Sequence, residues 1–277
     1  MAVGSVVKNA VKKAVKTLIV AASLVGTAAC AATASRQVVP AGTQEPDKFL
    51  FDKGDTALKA KKWLTAREYF KQVVETYTQS PLRPDAKLAV GDTYLEEGGA
   101  DNLVLAMNEY REFLSFYPTN KRADYAQYKL GMTHFKQMRA AERDQSETRD
   151  AIREFQNFVA RYPMSPLMPD AKARLRECLD RMGKADFQVG LFYFHQKWYP
   201  GSIDRLSTLL KNDPEYSNRD EVYFYLAESY IKTNAKARAL PLYDKLVTEF
   251  PKSEHLQDAQ KRIAELKAAP APDEKKS

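Results

Sequence analysis

Cys30 is the residue whose neighbours point most directly to a chemistry, and that chemistry is acylation. Lys8, Lys12, Lys13 and Lys16 form a basic head, Leu18 to Ala29 an apolar run, and Thr27, Ala28 and Ala29 a small-residue step before the thiol. Basic, apolar, then small is the pattern of a cleaved secretory signal, here residues 1–29. The apolar run is shorter than the ~20 residues a spanning helix needs. A cysteine at this junction resembles a bacterial lipobox, in which the signal is cut before the thiol and the thiol takes a lipid. Thr27 stands where a lipobox usually has Leu. Ordinary cleavage near Ala29 or Ala32, leaving a soluble periplasmic protein, is therefore the alternative. One acyl chain binds a membrane only marginally and several hold firmly, so a lipid at Cys30 would anchor the chain without a spanning helix. Ala31, in place of the Asp that resembles an inner-membrane retention signal, favours the outer membrane.

The other reactive side chains point away from catalysis. Cys178 is the second of two cysteines and lies in a helical run, where a free thiol serves as a small packed residue. If Cys30 is acylated, no disulfide forms within one chain. His134, His195 and His255 belong to no Cys/His or His-x3-His array, so no metal site is expected. No P-loop, G-x-S-x-G or G-x-G-x-x-G run occurs. Glu96 and Glu97 are adjacent and point in different directions on a helix. No catalytic residue is expected, and no cofactor beyond a covalent lipid. The four signal lysines supply more than half of the formal net charge of +7. The mature chain from Cys30 onward is only weakly basic, which gives little support to nucleic-acid binding.

The elements that would position a functional surface repeat along the chain. From Phe49 to Leu266 the pattern is amphipathic helix with short breaks and no convincing alternating strand. Small-x3-large pairs recur at Ala66/Phe70, Ala106/Tyr110, Ala151/Phe155, Ser202/Leu206 and Ala239/Tyr243. Pro118, Pro163, Pro214 and Pro251 follow the last four at constant spacing, and Pro81 follows the first three residues late. Upstream, Gly54, Gly91, Gly131, Gly190 and Ala227 mark a small position in each preceding helix. This is tetratricopeptide spacing. Small residues let paired helices approach, and proline ends the second helix because it lacks an N–H and excludes helical geometry just before it. The expected fold is all-α: five helix pairs, with one long connecting helix between repeats three and four that covers 166–184 and has Gly183 as its soft point. Glu97 to Leu103 lengthens the turn of repeat two, and the charged run 139–149 lies in the longer insertion of repeat three.

The expected organisation is a signal over 1–29, a lipidated cysteine and flexible tether over 30–46, and repeats one to three over 47–165. The connecting helix and repeats four and five cover 166–268, and a disordered tail covers 269–277. Stacked repeats form a concave binding surface. Its expected positions include Lys48, Phe51, Asp55 and Leu58 in repeat one, Tyr125, Tyr128, Met132 and Phe135 in repeat three, and Lys184, Phe187, Leu191 and Phe194 in repeat four. Such a groove suits an extended peptide or a partner helix. The alternative is that these rings pack on neighbouring repeats.

The order of these features resembles the BamD (ComL) family of outer-membrane β-barrel assembly lipoproteins. The resemblance covers Cys30 and residues 47–266. It rests on the cysteine, the five repeats, the long third repeat and the helix behind it. Local runs agree: Phe116-Tyr117-Pro118-Thr119-Asn120, Ala123-Asp124-Tyr125, and Trp198 before the second helix of repeat four. The resemblance implies a non-enzymatic role in folding and inserting outer-membrane proteins, on the periplasmic face of the outer membrane. It implies contact with BamA through repeats three to five, company with other Bam subunits, and an Arg contact that falls on Arg205. A surface salt bridge is the other reading of Arg205. It also implies that the groove of the first repeats receives C-terminal signals of unfolded barrel proteins. Their terminal aromatic would suit Phe51, Tyr94 and Tyr128, with Tyr125 and Phe135 beside them. Other tetratricopeptide envelope lipoproteins, of Tol–Pal coordination or pilus assembly, remain the alternative class.

Overall fold

Helices of 13–17 residues, and one of 28, follow one another along the described residues. The computed structural model describes residues 36–268, so the signal 1–29, Cys30 and the tail 269–277 lie outside the described residues. Among the described residues there are eleven helices and no strand. They are α1 Pro46–Lys59, α2 Trp63–Thr76, α3 Arg83–Glu97, α4 Ala100–Phe116, α5 Ala123–Phe135, α6 Ser146–Arg161, α7 Met168–His195, α8 Tyr199–Asn212, α9 Arg219–Lys232, α10 Lys236–Glu249 and α11 Leu256–Ala268. Each packs on the next, giving five antiparallel pairs and a closing helix. Pro46, Pro84, Pro169 and Pro200 sit in first turns, where a missing N–H costs nothing.

The small position of each first helix meets the large residue of the second. A Cβ on Gly54 would lie 2.7 Å from the Phe70 ring, and one on Gly91 2.8 Å from Tyr110. On Gly131 it would lie 2.8 Å from Phe155, and on Gly190 2.5 Å from Leu206. The glycines thus form seats for the large residues, and Ala66, Ala106, Ala151, Ser202 and Ala239 are fully buried one turn before them.

The turns between pairs share one construction. Helices α4, α6 and α10 end before Tyr117-Pro118, Tyr162-Pro163 and Phe250-Pro251. Three residues beyond each aromatic stand Asn120, Ser165 and Ser253, whose backbone N–H groups donate to the aromatic's carbonyl at 3.1, 3.0 and 3.0 Å. Their side chains then accept from the N–H groups of Arg122, Leu167 and His255. Repeat one does the same without proline: α2 ends at Thr76, Tyr77 follows, and Ser80 accepts from the Leu82 N–H at 3.0 Å. Its ending is therefore in register, and Pro81 lies inside the turn rather than closing the helix. Repeat four differs, because Tyr216 takes the serine position and is buried.

The long helix α7 runs unbroken from Met168 to His195. Gly183 is not a soft point: it is buried, and a Cβ there would lie 2.5 Å from the Tyr216 ring. Besides α6 and α8, α7 packs on α5 and α9, so it ties repeat three to repeats four and five. Cys178 is buried on its inner face, and burial pushes its thiol up to about 12.

Candidate functional site

The aromatic rings expected along the first three repeats lie between consecutive helices, each with a partner. Phe51 is half-buried, its ring centroid 5.3 Å from Phe70. Tyr94 is buried, with the Arg67 guanidinium 3.7 Å above its ring and Lys71 Nζ donating to its hydroxyl at 3.2 Å. Tyr125 is half-buried and donates to Asp92 at 2.9 Å, with Arg122 at 4.5 Å over its ring. Tyr128 donates to Asp170 of α7, and its ring lies 6.0 Å from Phe155. Burial and the Asp170 carboxylate push its hydroxyl up to about 12. Phe135 meets Phe155 at 6.4 Å and lies under Arg174 at 5.1 Å. Phe51, Tyr94 and Tyr125 join one core, while Tyr128 and Phe135 share Phe155 in another. These positions combine packing with partial exposure.

An acid follows the small position in three repeats, Asp55, Asp92 and Glu228, and in the latter two it answers a tyrosine. Asp92 accepts from Tyr110 at 2.6 Å, and Glu228 from Tyr243 at 2.6 Å. A cation from the next element joins each: Lys129 at 3.9 Å from Asp92 and Arg262 at 2.7 Å from Glu228. Repeat one has Phe70 in place of a tyrosine, and its Asp55 pairs with Lys59 at 2.5 Å instead; in repeats three and four the same position is Met132 or Leu191. Burial raises the Asp92 carboxyl, opposed by Lys129 and by the two tyrosine hydrogen bonds.

Two clefts lie away from these rings. One of about 300 Å³ is walled by Phe194, Phe224 and Tyr225, with Glu228, Asp258, Lys261 and Arg262 around it. His255 stacks on Phe224 there at 4.3 Å. The other, of about 480 Å³, lies between the repeat-three insertion, α7 and the α8–α9 turn. The insertion is more than a lengthened, charged turn, because it folds back on α7. Arg181 donates to the Arg139 carbonyl at 2.7 Å, Gln188 to Glu142, and Ala141 is buried.

His134 is buried, with Nδ1 2.8 Å from Glu147, and Asp150 stands close enough for the three ligand atoms to lie within 4.8 Å. The donor set superficially suits a metal. However, Asp150 is already held by Arg153 at 2.8 Å. Coordination through Nδ1 would move the ring proton to Nε2, which is buried and has no acceptor among the described residues. Metal-bound histidines need such an acceptor. The trio therefore works as a His–Glu clasp across the α5–α6 hairpin.

Arg205 lies exposed on α8. A Cβ on Gly190 would be 3.6 Å from the Arg205 Cβ, so the base of this side chain lies at the α7–α8 seam. Asp186 is its electrostatic neighbour: burial raises that carboxyl and Arg205 partly offsets the rise. Trp198 and Phe192, both exposed, stand near the same seam, an apolar feature that helical periodicity does not single out.

Helix pairs stacked in register, with rings and cations along their faces, define a tetratricopeptide-repeat scaffold. The chain belongs to the YfiO family, described as outer membrane lipoprotein, which residues 43–240 match. Relatives carry the name outer membrane protein assembly factor BamD. That of Caulobacter vibrioides is 25% identical over 254 residues, covering 92% of this chain and 81% of its own. That of Haemophilus influenzae is 26% identical, covering 82% and 86%. That of Vibrio cholerae is 26% identical, covering 66% and 78%. Among solved structures, a MamA protein aligns with a TM-score of 0.36 at 20% identity, over 77% of this chain and 96% of its own. A thermophilic TPR protein of Thermus thermophilus aligns at 0.35 and 18%, over 80% and 100%. No helix among the described residues is long and apolar enough to cross a membrane.

Proposed function

We propose that this chain is an assembly factor for outer-membrane β-barrel proteins, a non-enzymatic scaffold of the BamD type. It is tethered through a lipid on Cys30 to the periplasmic face of the outer membrane. Repeats four and five bind BamA, with Arg205 in the contact, and other Bam subunits join the assembly. The concave side of repeats one to three, including Phe51, Tyr94, Tyr125, Tyr128 and Phe135, receives the C-terminal signals of unfolded barrel proteins. The observation that supports the reading most is the family match across the repeat array, residues 43–240.

Depletion of the protein tests this role. Folded barrel proteins, read by their heat-modifiable mobility on gels, are expected to fall while their unfolded forms accumulate. Undiminished folded barrels would contradict the role. Arg205→Glu is expected to lower BamA recovery by about tenfold, the scale of a lost interface hot spot; unchanged recovery would remove Arg205 from the contact. A photo-crosslinker at Phe51 or Phe135 is expected to capture a barrel C-terminal peptide. Tyr128→Ala is a poorer probe, because it also leaves Asp170 without its hydroxyl partner.

A further inference from the structure

The corner between the two helices of a pair is built the same way in repeats one, four and five. Lys61, Lys197 and Asn234 take positive φ values of 57°, 60° and 60°. The N–H of the following residue then reaches back five positions, Lys62 to Ala57 at 2.9 Å, Trp198 to Tyr193 at 2.9 Å and Ala235 to Tyr230 at 2.8 Å. The backbone therefore accepts Asn then Ala at these two places and does not call for Lys61 and Lys62. Repeat one nonetheless carries Lys59, Lys61, Lys62, Trp63 and Leu64 in one short run.

The three lysines are exposed, and so is Leu64, at 63%. Trp63 is half-buried and joins no core among the described residues. Lys59 pairs with Asp55 at 2.5 Å, while Lys61 and Lys62 form no ion pair among the described residues. Repeat five has Lys232 and Lys236 beside its corner but Ala237 in the place of Leu64. Cations beside an indole and an aliphatic side chain are the composition of a bilayer-interface contact. The ammonium groups stay with phosphates while the apolar groups enter the headgroup layer.

The position of this run in the chain favours the same occupant. Val39 packs on the core of the first repeats, so attachment to the fold begins there rather than at Pro46. The nine residues from Ala31 to Val39 span at most ~32 Å from Cys30. That exceeds the ~21 Å length of α1, so the corner at its far end can reach a bilayer that holds Cys30. A contact too weak to bind alone is then intramolecular, and a short linker gives it a high effective concentration.

We propose that the α1–α2 corner of repeat one is a second membrane contact. Lys59, Lys61 and Lys62 meet anionic phospholipid headgroups, and Trp63 and Leu64 enter between them. The inference rests on the lipid reading of Cys30 and adds to it an orientation: repeat one is pinned at two points. An acidic protein is the other occupant such a run could take.

The test uses the acylated chain with Trp198→Phe, which leaves Trp63 as the one indole. The chain is placed in vesicles of phosphatidylethanolamine and phosphatidylglycerol with brominated tails, which quench an indole only at close range. Trp63 emission should be quenched there, and much less with phosphatidylcholine in place of phosphatidylglycerol. Lys61→Asn with Lys62→Ala should lower the contact about fivefold per lysine, and Leu64→Ala should lower it too. Their melting temperatures should stay unchanged, since Asn234, Ala235 and Ala237 already build this corner in repeat five. Lys232→Gln with Lys236→Gln removes the same charge from repeat five and should leave the quenching as it was. Flotation with the vesicles reads the anchor separately. A chain that floats with Trp63 unquenched, or equally quenched in every variant, overturns the corner contact and leaves the anchor standing. A chain that does not float removes the anchor and this contact with it. Trp63 shielded from acrylamide in native membranes but unquenched in the vesicles would assign the corner to a protein and overturn the proposal.

Discussion

Tyr110 with Asp92 and Tyr243 with Glu228 show how a repeat adjusts one residue to another. Each hydroxyl is buried against the preceding helix and needs an acceptor there, and the acid one place after the small position supplies it. Tyr243→Phe would leave Glu228 with Arg262 but without this donor. A loss of about 1.5–3 kcal/mol is expected by urea denaturation, the usual net worth of a hydrogen bond to a charged group. Phe155→Tyr should be destabilising for the opposite reason, since Met132 stands where the acid would be. Asp92 adds a pH dependence. Burial raises its native pKa above 3.8, so its contribution to folding is fully present below that value and is lost as pH rises through the raised one. Asp92→Asn does not titrate. It should compare best with the unaltered chain near neutral pH and worst at about pH 4; an equal difference at both would contradict this. Gly131→Ala should cost about 1–3 kcal/mol from overpacking against Phe155, less the ~1 kcal/mol that Ala gains in a helix, read by thermal melting.

At the level of elements, the helix pairs are legible in the sequence because their determinants are local. Small-x3-large pairs and X-Pro steps lie within one or two turns of the ends they set, and the bounds of α4, α6 and α10 agree with them. The serine and asparagine that complete those turns are also local and lie within reach of the same inspection. The long-range contacts are not legible in this way. The partners of Tyr94, Tyr125 and Tyr128 lie on neighbouring helices, so ring types are visible in the sequence but their packing is not. Gly183 has the look of a weak point because Tyr216, which fills the space beside it, is far along the chain. The charged insertion has the composition of a solvated loop, yet Arg139 and Glu142 bond to α7 and Ala141 is buried. Replacing 139–145 by a short Gly-Ser turn should raise amide exchange in α7 between Glu177 and Gln188 and leave α1 to α4 unchanged. Unaltered exchange along α7 would show that the insertion braces nothing.

As a whole, the molecule joins three kinds of attachment. A single thiol outside the described residues would hold it to lipid, the early repeats offer partly exposed rings, and repeat four exposes Arg205 on α8. Mass measurement of the mature N-terminus decides the first: acyl mass on Cys30 is expected, and an unmodified terminus would make the chain a soluble periplasmic scaffold. The central claim is adaptor function, and recovery of the native protein from solubilised membranes tests it most directly. BamA should co-purify with the unaltered chain, and its yield should fall with Arg205→Glu while the helical signal remains. Recovery of the chain without BamA from membranes that contain both would contradict the account.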